Sequence, residues 1–157
     1  MTIRRIEPGP RMSQAVVHGN TVYLAGQVAL GANVTEQTRS VLGQIDALLA
    51  EAGTDKSKLL SATIWLADMS TFGEMNAVWD TWVDTADPPA RATGEVRLAT
   101  PDYKIEIIAQ AEPTKNEPGK MEQRRMNEID AVREYPDADE PFRTKHAPHK
   151  SRWIVRK

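Results

Sequence analysis

Two residues carry the chemistry that this sequence offers, Arg91 in "DPPARATGEV" (87–96) and Glu106 in "YKIEIIAQA" (103–111). Pro88 and Pro89 end one element, and a permanently charged, five-donor side chain follows on the next, which alternates like a strand. A guanidinium there can hold a carboxylate through two parallel hydrogen bonds. A carboxylate nearby can orient water or move a proton. If the strands bearing them pair as a hairpin, Arg91 and Glu106 project from one sheet face. Taken on their own, the same residues also fit a cross-strand ion pair on a solvated face.

The elements that must position this pair follow from periodicity. "AVVHGNTVYLAGQVAL" reads as two short strands around Gly19-Asn20, a pair that tolerates the positive φ of a tight hairpin. Asn33 is placed to cap a helix whose apolar stripe is Val41, Leu42, Ile45, Leu48, Leu49 and Ala52, with Gly53 as its stop. "LLSATIWLA" (59–67) reads as a buried or central strand. Thr71-x-x-Glu74 has the spacing of a capping box, opening a second helix with Phe72, Met75, Val78, Trp79, Trp82 and Val83 on one face. Asp87-Pro88-Pro89 is expected to end it. "RATGEVRL" and "KIEIIAQA" are read as strands joined by a turn at Pro101-Asp102, with Lys104, Glu106, Ile108 and Gln110 sharing a face. The order ββαβαββ implies a parallel crossover pair inside a mixed sheet, with two helices on one face, an α+β layer fold. The sheet's other face then needs cover, which self-association supplies.

Composition sets the bounds. The chain has 157 residues, 40% of them hydrophobic, a formal net charge of −2 and no cysteine. Disulfide scaffolds, thiolate metal sites and cysteine nucleophiles are excluded, and the charge balance argues against a protein devoted to nucleic acid. "MTIRRIEPGP" has no apolar core of a signal peptide and no run is long enough to span a membrane, so a cytoplasmic protein is expected. Composition shifts after Ala111: "YPDADEP" is acidic, and Pro141 to Lys157 holds six lysines and arginines but no acidic residue. This divides the chain into a core, 1–111, and a charged, proline-punctuated extension, 112–157, expected to strap onto the core's assembly or dock an unknown partner rather than RNA.

The core resembles the RidA (YjgF) family of small enamine and imine deaminases. "GNTVYLAGQV" (19–28), "LLAEAG" (48–53), "LSATIWLADMSTF" (60–72), "MNAVWDTW" (75–82), "PPARAT" (88–93) and "YKIEIIAQA" carry the resemblance through their order and spacing. It implies a chorismate-mutase-like subunit that forms homotrimers with a pocket in each cleft between neighbours. It implies further that Arg91 binds the carboxylate of a small 2-imino or enamine acid and that Glu106 positions the attacking water. Gly26 and Asn76 would line the pocket, and no cofactor or metal is called for. Three pocket positions depart from the deaminase pattern. Met12 stands for a tyrosine, Ala25 for a serine and Thr93 for a cysteine, so the clamp is kept while the hydrogen bonds that select the substrate are altered. The reaction implied is hydrolysis of the imine to a 2-keto acid and ammonia; the alternative is a non-catalytic trimer on the same fold that binds a small metabolite or a protein.

The remaining features favour structural roles. Trp65, Trp79 and Trp82 fall at core positions, His18 beside the hairpin turn, and the proline in "HAPH" (146–149) breaks helical spacing between His146 and His149.

Overall fold

The computed structural model of the chain describes residues 2–114. Within them, six strands and two α-helices follow one another as β1 (Arg4–Pro8), β2 (Ser13–His18), β3 (Thr21–Leu24), α1 (Val34–Glu51), β4 (Leu59–Leu66), α2 (Phe72–Trp82), β5 (Ala90–Glu95) and β6 (Ile105–Ala111). The strands form one sheet in the order β1-β2-β3-β6-β4-β5. Among these strands β4 and β5 run parallel; the other neighbours are antiparallel. This is the expected mixed sheet with both helices on one face, and the core lies between them. Val41, Leu42, Ile45 and Leu49 of α1 and Met75 of α2 pack over Val22, Ile64, Leu66, Ile105 and Ile107, all of them buried.

Two expectations about the sheet need correction. The first strand, "RRIEP", has no counterpart in the expected order, because as an edge strand it buries only Ile6 among charged neighbours and shows no alternation. The second concerns β5 and β6, which do not form a hairpin. β5 reaches the outer edge of β4 through the α2 crossover. The chain then returns over residues 96–104 and inserts β6 between β4 and β3. Burial explains the choice. Ile105, Ile107, Ala109 and Ala111 are all buried in β6, whereas β5 has no residue fully buried and belongs at an edge.

The local signals are otherwise well kept. Gly19 takes φ 59 between β2 and β3. The Asn33 side chain accepts from Glu36 N–H at 2.9 Å, and Gly53 ends α1 at φ 81, where Thr54 N–H reaches back to Leu49 O. Thr71, in contrast, makes no side-chain cap. A 3₁₀ turn (Met69–Thr71) precedes α2, Asp68 caps that turn through Ser70 N–H, and the Thr71 hydroxyl donates to Asp68 O instead. α2 also stops at Trp82, before the prolines, with Val83 already extended. At the other end, Glu112 N–H and Thr114 N–H donate to Lys58 O and Gly53 O, so the chain stays tied to the core beyond β6. The expected extension, 112–157, lies outside the described residues from 115 onward, His146 and His149 with it.

Gln37 and Thr38 are polar residues fully inside this core, and Gln37 makes the longer-range contacts. Gln37 is fully buried on α1, and its Nε2 donates to Gly31 O at 3.1 Å and to Asp102 O at 2.9 Å while its Oε1 accepts from Lys104 N–H at 2.8 Å. It thereby pins the loop before α1 and the loop that delivers β6. Replacing it by alanine leaves three backbone groups short of a partner. Gln37→Ala should therefore destabilise the fold by about 2–4 kcal/mol, read from urea unfolding. A loss within error of zero would show that solvent replaces these bonds without cost.

Candidate functional site

Register across β4 decides where the two chemical residues point. Ala62 pairs with Arg91 on β5 and with Ala109 on β6, and Trp65 pairs with Gly94 and with Glu106. Paired residues share a sheet face. Arg91 and Thr93 therefore lie on the face of the buried Ala62 and Ile64, under the helices, and Glu106 lies on the opposite face with Trp65, Ile108 and Gln110. The expectation of a common face fails because it assumed a β5–β6 hairpin, and β4 stands between them. Within one chain the two residues are two strands apart, about 10 Å across the sheet, and three positions, about another 10 Å, along β4, and they lie on opposite sides of the sheet.

The Arg91 half of the site is built on α2. Its guanidinium carbon lies 5.3 Å from the Trp79 ring centroid and 6.0 Å from that of Phe72. Phe72, Asn76 and Trp79 follow one stripe of the helix. Two buried oxygens in this half lack a hydrogen-bond partner among the described residues, Asn76 Oδ1 and Thr93 Oγ1. Native interiors rarely leave such groups unpaired, so they suit a site that a ligand completes. Among the described residues no carboxylate forms an ion pair with Arg91. Arg91, Asn76 and Thr93, named from the resemblance, lie on β5 and α2, whereas the sequence reading gives Trp79 only a packing role.

The Glu106 half lies across β6 and the end of β3. Gly26 leaves room for the Glu106 carboxyl: a Cβ there would overlap Glu106 Oε1 and lie 2.8 Å from its carboxyl carbon, so any larger residue must displace the end of that side chain. Burial pushes the Glu106 carboxyl above its ordinary value of 4.5. Met12 and Gly26 share a cleft with Gln14, Gln27 and Gln44. Gln27, missed from sequence, is buried and donates through Nε2 to Gln14 Oε1 at 3.1 Å and to Ala25 O at 3.0 Å. Ala25 N–H in turn donates to Gln14 O. Ala25 offers only backbone groups here and Met12 an exposed thioether, so the polar character of this half comes from the glutamines and Glu106.

An α+β subunit with these two separated half-sites defines a class of small single-layer-sheet proteins, and the comparisons place it more closely. The family model described as "Endoribonuclease L-PSP" matches residues 2–112. A RutC family protein of Haemophilus influenzae is 50% identical over 111 residues, covering 69% of this chain and 96% of that one. The RutC family protein YoaB of Escherichia coli is 46% identical over 108 residues, covering 68% and 95%. Among solved structures, NMB1025 of Neisseria meningitidis, a member of the YjgF protein family, superposes with a TM-score of 0.72 at 45% identity, covering 73% of this chain and 98% of its own. A putative translation initiation inhibitor from Salmonella typhimurium gives 0.65 at 40% identity, covering 71% and 97%. The chain belongs to the RidA/YjgF (RutC) family.

The contact between Gly26 and Glu106 can be tested directly. In Gly26→Ala the far end of a flexible side chain has to move, so the protein should still fold cooperatively. The displaced carboxyl then meets more solvent, and its titration, followed by carboxyl-carbon NMR, should move back toward 4.5. An unchanged titration would show that Gly26 does not set the position of Glu106.

Proposed function

We propose that this chain is a hydrolytic deaminase of reactive 2-imino and enamine acids, working in pockets between the subunits of a homotrimer. The observation that carries the reading is the pair of half-sites on opposite faces of one sheet. A carboxylate clamp with unsatisfied neighbours and a protonatable carboxyl cannot meet within a chain, but they can meet when the β5 edge of one subunit packs beside the β3–β6 region of the next. The open sheet face supports association as well: Tyr23 is 45% exposed, and Trp65 and Ile108 are only half-buried.

In this mechanism Arg91 binds the substrate carboxylate through two parallel hydrogen bonds, and the Thr93 hydroxyl is placed to donate a third. Asn76 Oδ1 can accept from the imine N–H. Holding the carboxylate fixes the imine carbon beside the water, so the bimolecular step is accelerated by proximity. Glu106 takes a proton from that water as its oxygen bonds to carbon, and returns it to nitrogen. The carbinolamine then loses ammonia and leaves the 2-keto acid. A carboxyl whose proton affinity is raised by burial is a better base for this exchange than an exposed one. Met12 and Ala25 offer no side-chain hydrogen bond to the substrate, which relaxes selection for polar substituents.

The activity is tested with 2-imino acids generated in situ by an amino-acid oxidase. Wild type should release ammonia faster than the spontaneous rate. Arg91→Ala should lose about two to four orders of magnitude in kcat/KM, with Arg91→Lys recovering part of it. Glu106→Gln should lower kcat more than it raises KM. Light scattering should give the mass of a trimer. Each intersubunit pocket needs Arg91 from one chain and Glu106 from another. Arg91→Ala and Glu106→Gln proteins, unfolded together and refolded in equal amounts, should therefore regain about a quarter of the wild-type activity by random assortment. No recovery from a properly trimeric mixture would place both residues in a site of one chain. A wild type that never exceeds the spontaneous rate would make the non-catalytic binding trimer the better reading.

A further inference from the structure

We propose that Trp79, with Phe72, acts as a positioning residue that holds the Arg91 guanidinium in place before the carboxylate arrives. The inference rests on the reading of Arg91 as the carboxylate clamp and deepens it. Arg91 projects from an edge strand and is exposed in the single chain. A long side chain in that position samples many rotamers, and ordering it on binding costs affinity. Here the guanidinium carbon lies 5.3 Å from the Trp79 centroid and 6.0 Å from that of Phe72, inside the range of cation–π attraction. Rings that engage the guanidinium through their faces use none of its five N–H donors, so its hydrogen-bonding edges stay available for a carboxylate.

The Trp79 ring is itself braced. It is only 5% exposed, and its centroid lies 5.3 Å from that of Trp82 at an interplanar angle of 55°. Trp82 Nε1–H donates to Asp46 Oδ2 on α1 at 2.9 Å, and Lys56 Nζ lies 5.5 Å from the Trp82 centroid. An aromatic shelf thus ties the clamp through α2 to α1. A side chain that merely filled the core would hold no particular relation to Arg91. A positioning role makes the π face itself matter.

The test compares Trp79→Leu, which keeps apolar bulk but removes the π face, with Trp79→Phe, which restores a smaller one. Two readouts are followed: steady-state kinetics on an oxidase-generated 2-imino acid, and ¹⁵N relaxation of Arg91 Nε in the ligand-free protein. Trp79→Leu should raise KM about five- to tenfold while kcat stays within about twofold, and Arg91 Nε should become more mobile. Trp79→Phe should recover most of both. A folded Trp79→Leu with wild-type KM and wild-type Nε relaxation overturns the inference while leaving the deaminase reading intact. Should Trp79→Leu fail to fold, Phe72→Leu takes its place, with a smaller rise in KM and a smaller increase in mobility expected; no change in either overturns the inference equally. A wild type that neither turns over an imino acid nor binds pyruvate by calorimetry overturns the deaminase reading and the clamp together, whereas unchanged Nε relaxation tells against the shelf alone.

Discussion

Everything chemical in this subunit depends on β4 being shared. It takes β5 in parallel on one edge and β6 antiparallel on the other, and its own alternation hands opposite faces to Arg91 and Glu106. Side-chain direction in a sheet has period two, so a register shift of one residue in either pairing would reverse the face of one half-site. That register is heavily enforced. Ala62, Ile64 and Leu66 on β4 and Ile105, Ile107 and Ala109 on β6 are all buried against the helices, and a slip would exchange them for Thr63, Trp65, Glu106 and Ile108. The exchange would drive the Glu106 carboxyl into an apolar interior, at a desolvation cost that the present register avoids. The hydrophobic core and the placement of the chemistry are therefore one constraint.

Around that frame, a few close approaches set the fine geometry. Gln37 ties the loop that carries Asp102 and Lys104 to α1, and that loop delivers β6 with Glu106 near its start. Gly26 lets the backbone after β3 come against the Glu106 carboxyl, a group that burial holds above its ordinary titration range. On the other half, α2 supplies the surface on which Arg91 rests. Each half-site is built by packing local to it, and neither needs the other to take its shape. Such independence is what a site completed only by association requires.

Much of this was legible in the sequence, and the exceptions have physical causes. Both helices, the Gly19-Asn20 turn, the Asn33 cap, the Gly53 stop and the central strand were readable because each rests on local periodicity or on a residue with a special backbone role. The pairing partners of β5 and β6 were not, because adjacency in sequence suggests a hairpin and only the burial of alternate β6 residues, weighed against the polar β5, argues for insertion. β1 was hidden by being an edge strand with one inward residue. Thr71 had cap spacing, but a 3₁₀ turn capped by Asp68 runs directly into α2 and draws the Thr71 hydroxyl back to Asp68 O. Of the candidate site, Arg91, Glu106, Gly26, Asn76 and Thr93 were named from motif resemblance, yet the placing of Arg91 and Glu106 on opposite faces is a property of register, which no motif contains. Gln27 and Trp79 were missed for opposite reasons, one a polar residue in a loop and the other an aromatic on an apolar stripe where packing alone accounts for it.

The departures at Met12, Ala25 and Thr93 do not fall evenly on this architecture. Two of them, Met12 and Ala25, belong to the Glu106 half, and there the side chains have lost hydrogen-bonding groups. The third, Thr93, belongs to the Arg91 half, and it carries a hydroxyl where the deaminase pattern has a thiol, one that has no partner among the described residues. Under the proposed assembly the carboxylate of the substrate is thus held by one subunit with its full set of donors, while the substituent meets the other subunit through an apolar thioether, backbone groups and the glutamines behind them. Affinity for the acid group and discrimination among side chains are then separable properties, one on each face of the sheet. A carboxylate clamp retained beside a wall stripped of hydroxyls favours breadth over selectivity, since a pocket rejects an analogue strongly only when its own polar groups would be left unpaired.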